Sequence, residues 1–192
     1  MKKHTNSKRQ MRGYSVVELL VSMAIISTLS AIAVPSLMRT YRSYQMDDAA
    51  SQVASQLKFT RYEAIRRNGP IPMACVNKTQ NGYLTMFTDY DNSGTVQATE
   101  KQIVFSGSAT LVDAASVPSS GALAAVVSAG TLTTMNPTNG TIAFDARGAK
   151  STGGGTVYWV GNANYGWRAV TVMPSGSVQV WSYATGTWTQ VS

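Results

Sequence analysis

Few side chains in this sequence can do chemistry, and they fall into three groups. The first is Glu18, a carboxylate bordering an uncharged run from residue 19 to residue 38 that is rich in Leu, Ile, Val, Met and Ala. An ionised side chain within a bilayer costs roughly 2.5–3.5 kcal/mol even on lenient scales, so such an acid needs a partner or must snorkel to the interface. The second group is Asp89-x-Asp91-x-Ser93-Gly94-Thr95-Val96-x-x-x-Glu100. Oxygen ligands at the first, third and fifth places, glycine at the sixth and a carboxylate at the twelfth match a calcium loop. The flanks read as strands rather than helices, and Asp-Asn-Ser-Gly is also what a tight turn requires, so the structural turn is preferred and calcium is the alternative. The third group is cationic: Arg147, Lys150 and Arg168, among the aromatics Tyr158, Trp159, Tyr165, Trp167, Trp181, Tyr183 and Trp188. Cations on phosphates and rings stacked on bases would make a DNA-binding face, although aromatics on strands more often fill a core or an interface.

What is missing narrows the field further. Cys75 is the lone cysteine, so no intrachain disulfide forms, and it is most simply a buried core residue. The lone histidine, His4, precedes the apolar run. Beyond it, every Ser-His or Cys-His nucleophile and most zinc sites are excluded. The remaining carboxylates and hydroxyls have no base beside them, so an enzyme is not expected and no cofactor is implied apart from the calcium alternative.

The elements that must position these residues follow from periodicity. The uncharged run is long enough, at 1.5 Å per residue, to span about 30 Å of hydrocarbon as a helix. Pro35 is expected to kink it or weaken its local hydrogen bonding, yet the helical pattern resumes beyond. Met46, Ala50, Val53, Leu57, Ala64 and Ile65 recur at mostly helical spacing through residues 37–68, and Asn68-Gly69-Pro70 supplies a stop. Arg61, Arg66 and Arg67 read as the solvated face of this helix, with Glu63 as a local partner. After Pro72 the period falls towards two. Strands are expected at 71–76, 82–88, 102–105, 156–160, 169–173, 178–183 and 188–191, with turns at 77–81 and 89–94. Residues 109–134 read as a variable insertion with one or two weak strands and no assigned function. One long helix followed by strands predicts an α+β fold in which the helix packs on an antiparallel β-sheet head.

Gly13-Tyr14-Ser15-Val16-Val17-Glu18-Leu19-Leu20, behind Lys2, Lys3, Lys8, Arg9 and Arg12, resembles the class III signal of type IV pilins and type II secretion pseudopilins. The helix end Arg61-Tyr62-Glu63-Ala64-Ile65-Arg66-Arg67-Asn68 and the stretch Thr141-Ile142-Ala143-Phe144-Asp145-Ala146-Arg147-Gly148 narrow the resemblance to the GspH/FimT branch of minor pilins and pseudopilins. The resemblance implies a pilin-like fold, divided into a cleaved leader (1–13), a transmembrane and polymerisation helix (14–38), an amphipathic helix (39–69) and a β-rich head (70–192). It implies cutting between Gly13 and Tyr14 by the prepilin peptidase, N-methylation of Tyr14 by the same enzyme, and Glu18 as the assembly carboxylate. The implied partners are other pilins or pseudopilins and the inner membrane, with the amino end cytoplasmic and the head periplasmic before entry into a pseudopilus or pilus. Some FimT-like proteins bind DNA through Gly-Arg-x-Arg. The matching Gly176-Ser177-Val178-Gln179 lacks both arginines, so DNA is the rival and not the expected partner. The basic excess also belongs mostly to the leader: without its five cations, 16 basic against 9 acidic residues become 11 against 9. That asymmetry orients a spanning helix better than it binds nucleic acid.

Overall fold

The computed structural model describes residues 14–68, 73–80 (backbone), 83–105, 109–118, 123, 132–137, 139–151 and 153–191. Two compact units part after Thr40, and one helix, α1 (Val16–Arg67), contributes to both. In the first unit the Leu19 N–H donates to the Ser15 carbonyl at 3.1 Å, which opens the helix at Val16. The helix runs on through Pro35. Proline has no N–H to offer the carbonyl four residues back, so one backbone bond is absent there.

The second unit holds the strands. Sheet A has the order β3 (Gln102–Phe105), β2 (Tyr83–Asp89), β1 (Met73–Gln80), β6 (Thr141–Phe144), with antiparallel neighbours throughout. Sheet B runs β10 (Thr187–Gln190), β9 (Val178–Ala184), β8 (Gly166–Val172), β7 (Gly155–Asn162), β4 (Leu111–Val112). Among the described strands, its one parallel pairing joins β5 (Leu132–Thr134) to β7. The α+β expectation holds, with two sheets in place of one. Asn77–Gln80 are strand and not turn, because Gln80 pairs with Tyr83 and leaves only Asn81 and Gly82 between. Asn-Gly is the dipeptide a two-residue hairpin favours, and it is a shorter punctuation than the one expected.

Two apolar clusters explain the architecture. Met46, Ala50, Val53, Leu57 and Ala64 of α1 pack with Met86, Phe105, Ile142 and Phe144 of sheet A and with Tyr158, Val160, Val170 and Val172 of sheet B. The alternate residues of sheet B face the other way: Val157, Trp159, Trp167, Ala169 and Trp188 join Leu123 and Leu132 in a second cluster. Side chains on a strand alternate between faces, so β7 and β8 are buried on both. The 109–134 segment thus contributes core: it supplies β4, β5 and Leu123, and Trp188 Nε1 donates to the Pro118 carbonyl at 3.2 Å. Ile65, expected in the helix stripe, is instead 43% exposed. Asn68 ends α1 with φ +41°, the left-handed stop expected of it. Gly69, Pro70 and the side chain of Cys75 lie outside the described residues.

Candidate functional site

The apolar half of α1 is the first place where sequence and burial conflict. Val16, Leu19, Leu20, Ile25, Ile26, Leu29, Ile32, Val34 and Leu37 are all exposed, and the stretch is long and apolar enough to cross a membrane. Each such side chain is worth roughly 1.5–3 kcal/mol on leaving water. Their joint exposure to water is therefore unfavourable. Three hydroxyls of this stretch bond to the helix's own backbone: Ser22 Oγ donates to the Glu18 carbonyl at 2.7 Å, Ser27 Oγ to the Met23 carbonyl at 2.8 Å and Thr28 Oγ1 to the Ile25 carbonyl at 2.8 Å. Polar groups that close on the helix's own backbone suit a medium without water.

Gly13 lies outside the described residues, and Tyr14 stands exposed two residues before the helix. Glu18 is in the first turn of α1. There the helix N–H groups have no intrahelical partners and the helix dipole favours an anion. No ion pair to Glu18 occurs among the described residues.

The Asp89–Glu100 loop does bring its acids together. One carboxylate oxygen from each of Asp89, Asp91 and Glu100 lies within 4.8 Å of the others, with Asp89 and Glu100 buried and Asp91 exposed. Yet every one of the six oxygens already accepts a hydrogen bond. Asp89 takes the N–H groups of Ser93 (3.0 Å) and Gly94 (2.7 Å), and Glu100 those of Tyr90 (3.0 Å) and Gln97 (3.0 Å). Asp91 takes Ser93 N–H at 3.1 Å and the Gln97 amide at 2.6 Å. The Gln97 amide and the Ser93 hydrogen bonds hold the Asp91 carboxyl below its ordinary pKa. Ser93 Oγ is spent on the Thr95 carbonyl at 3.3 Å. The donor set has a hard cation's chemistry, but the loop's own amides satisfy it as a turn.

The three cations of the DNA alternative are engaged in different ways. Arg168 is a correction: its side chain is 10% exposed, and Nε and NH2 both donate to the Asp47 carboxylate, with NH1 on the Trp167 carbonyl at 3.0 Å. Period-two alternation points residue 168 towards α1, where Asp47 waits 121 residues earlier in the chain. Lys150 Nζ donates to the Gly154 carbonyl at 2.7 Å, and burial pushes its ammonium pKa down. Arg147 is exposed in the turn that Asp145 organises by accepting the N–H groups of Arg147 and Ala149, each at 2.9 Å. Trp159, Trp167, Trp188 and Tyr158 are buried. Trp188 packs on Trp159 and Tyr183 with centroids 5.4 and 5.2 Å apart, so these rings fill a core instead of offering faces to bases.

The helix-end arginines also divide. Glu63 is buried and chelated by Arg66 (2.9 and 2.6 Å), with Arg67 at 3.5 Å. The Arg66 hydrogen bonds hold its carboxyl below the ordinary value, against burial, which raises it. Arg67 lies 4.4 Å over the Tyr90 ring, and burial pushes that phenol's pKa up. Arg61 departs from the solvated face: its Nε donates to the Gly148 carbonyl at 2.8 Å. Gly148 and Gly176 both have φ +78°, and a Cβ on Gly148 would sit 2.6 Å from Ile65 Cδ1, while one on Gly176 would collide with the Gly148 carbonyl oxygen. Arg61 thus pins two turns to the helix, a role that no local spacing signals.

The family described as type II transport protein GspH matches residues 49–176, and the prokaryotic N-terminal methylation motif matches residues 8–34. The pilin-like protein PilA1 of Thermus thermophilus is 35% identical over 78 residues, 41% of this chain and 48% of that protein. The chain therefore spans about half the length of the curated relative it matches. No solved structure matches it. With a family match over well more than half of its length, behind a methylation motif and an uncovered apolar helix, the protein belongs to the GspH family of type IV pilin-like, pseudopilin subunits.

Proposed function

We propose that this subunit waits in the inner membrane on residues 14–38, amino end in the cytoplasm, and is cut by the prepilin peptidase between Gly13 and Tyr14. Tyr14 is then N-methylated, and the apolar helix passes from lipid into a bundle of other pilin helices in a pseudopilus or pilus, at or near its tip. The domain boundaries follow: leader 1–13, polymerisation helix 14–38, amphipathic helix 39–69 and head 70–192. The family is one of structural subunits, and the role is assembly by burial rather than catalysis.

One observation carries this reading: an acid in the first turn of a bare apolar helix, with no cation paired to it among the described residues. Cutting after Gly13 creates an amine on Tyr14. A neighbour's amine can then pair with Glu18, offset its desolvation and set the axial register, since an unpaired charge in a low-dielectric bundle is strongly disfavoured. Glu18→Ala should leave membrane insertion and the fold of the head intact while sharply reducing incorporation into filaments. Unchanged incorporation would show that the carboxylate has no part in assembly.

A further inference from the structure

Strand β3 ends sheet A, and the direction of its free edge can be read from one hydrogen bond. The Thr88 N–H donates to the Lys101 carbonyl at 3.0 Å, which makes residues 88 and 101 a hydrogen-bonded pair. Antiparallel partners alternate between bonded and non-bonded pairs. In the register Phe87↔Gln102, Met86↔Ile103, Thr85↔Val104, the N–H and C=O groups of Gln102 and Val104 therefore point away from β2. No described strand pairs with that side.

Sheet edges are ordinarily blunted by a lysine, a proline or a bulge. Here Gln102 is exposed, Val104 is 47% exposed, and the lysine next to the strand is engaged elsewhere, with Lys101 Nζ 4.2 Å over the Phe59 ring. Beside the edge is a cavity of about 160 Å³ lined by Gln45, Asp48 and Gln52 of α1 and by Val104 and Phe105. An apolar cavity of about 150 Å³ holds a molecule the size of benzene, so there is room for one long side chain. The cavity's charged group is Asp48, which accepts the Gln52 amide at 2.7 Å. The described ion pairs join Arg66 and Arg67 to Glu63 and Arg168 to Asp47, and none reaches Asp48.

We propose that the outer edge of β3 receives an extended segment of a different pilin-like subunit, added as a fifth strand of sheet A and carrying a lysine or arginine into the cavity towards Asp48. Main-chain hydrogen bonds to Gln102 and Val104 supply the attachment, and the acidic cavity supplies the selection of a basic side chain. This inference rests on the chain being a filament subunit and names the surface by which its head meets a neighbour.

The test uses the full chain in its host membranes, with a photoreactive residue in place of Gln102. The expected result is a cross-link to another pilin-like subunit, identified by mass. Val104→Pro removes a donor on the outer edge alone, a place where proline is tolerated in a sheet. Asp48→Lys reverses the cavity's charge without touching the strand. Each should lower the cross-link yield about tenfold or more while the head melts as before and the subunit still co-purifies with other pilins. The proposal is overturned if the subunit co-purifies with other pilins yet the cross-link stays within one chain, joins two copies of this chain, or survives both substitutions. A chain that keeps its leader and associates with no pilin would instead remove the filament reading, and this inference with it.

Discussion

One helix carries two carboxylates under opposite regimes, and the contrast is informative. Glu63, in the second unit, is buried and held by Arg66 and Arg67 within one turn of the same helix. Glu18, in the first, has no such pair among the described residues. The apolar side chains divide in the same way. Met46, Val53 and Leu57 are fully buried against two sheets, whereas Leu20, Ile26 and Leu29 touch no core. The second half of α1 finds its partners within the chain. The first half is finished in side chains but not in contacts, as expected of a segment whose partners are lipid and then other molecules.

The largest effect that would break this contrast is in the core. Leu57→Ala should cost about 2–5 kcal/mol, at roughly 2–4 °C of melting temperature per kcal/mol, while Leu29→Ala should leave the melting of the head unchanged. Equal effects of the two substitutions, measured on the whole chain in detergent, would show that the halves are not distinct. Next comes Asp47→Ala, which strands the Arg168 guanidinium against sheet B. A fully buried pair costs about 3–5 kcal/mol to break, and the half-exposed Asp47 side chain reduces this to about 2 kcal/mol. Loss of stability with Asp47→Ala but none with Arg147→Ala would confirm that Arg168, and not Arg147, is a structural cation.

Glu63 gives a smaller effect with a defined pH window. Its carboxyl titrates lower in the folded than in the unfolded chain, so folding favours the charged form. The resulting stability is complete above the ordinary value of 4.5 and is lost as pH falls through the depressed one. Glu63→Gln should flatten that acid limb and cost about 1–2 kcal/mol at neutral pH, its arginine partners being partly solvated. The smallest effect concerns the acidic loop. Because loop hydrogen bonds already occupy all six carboxylate oxygens, millimolar calcium should barely move the melting temperature. A clear rise with calcium that Asp91→Ala abolishes would restore the loop as a metal site.

The legible parts of this molecule were those with local causes. The uncharged run and the left-handed stop at Asn68 are each written in consecutive residues, and so are the strands with Gly- or Asn-containing turns between them. What escaped depends on distant partners. Gln56 and Thr60 are polar residues of the amphipathic helix, yet both are buried, with Gln56 Nε2 donating to Thr88 Oγ1 at 2.8 Å and to the Lys101 carbonyl at 2.7 Å. A helical wheel sends amides outward, and only the sheet that covers this one could have corrected it. Arg168 and Arg61 looked like surface charge for the same reason, since their partners lie across the fold at Asp47 and Gly148. Glu63 did have a local signal, the two arginines three and four residues on. Its burial did not.

Everything assigned to Glu18 requires a new amine on Tyr14, and the intact mass of the subunit recovered from assembled filaments measures that directly. The account predicts a chain that begins at Tyr14 and carries one added methyl group. A functional, assembled subunit whose mass still includes residues 1–13 would contradict it.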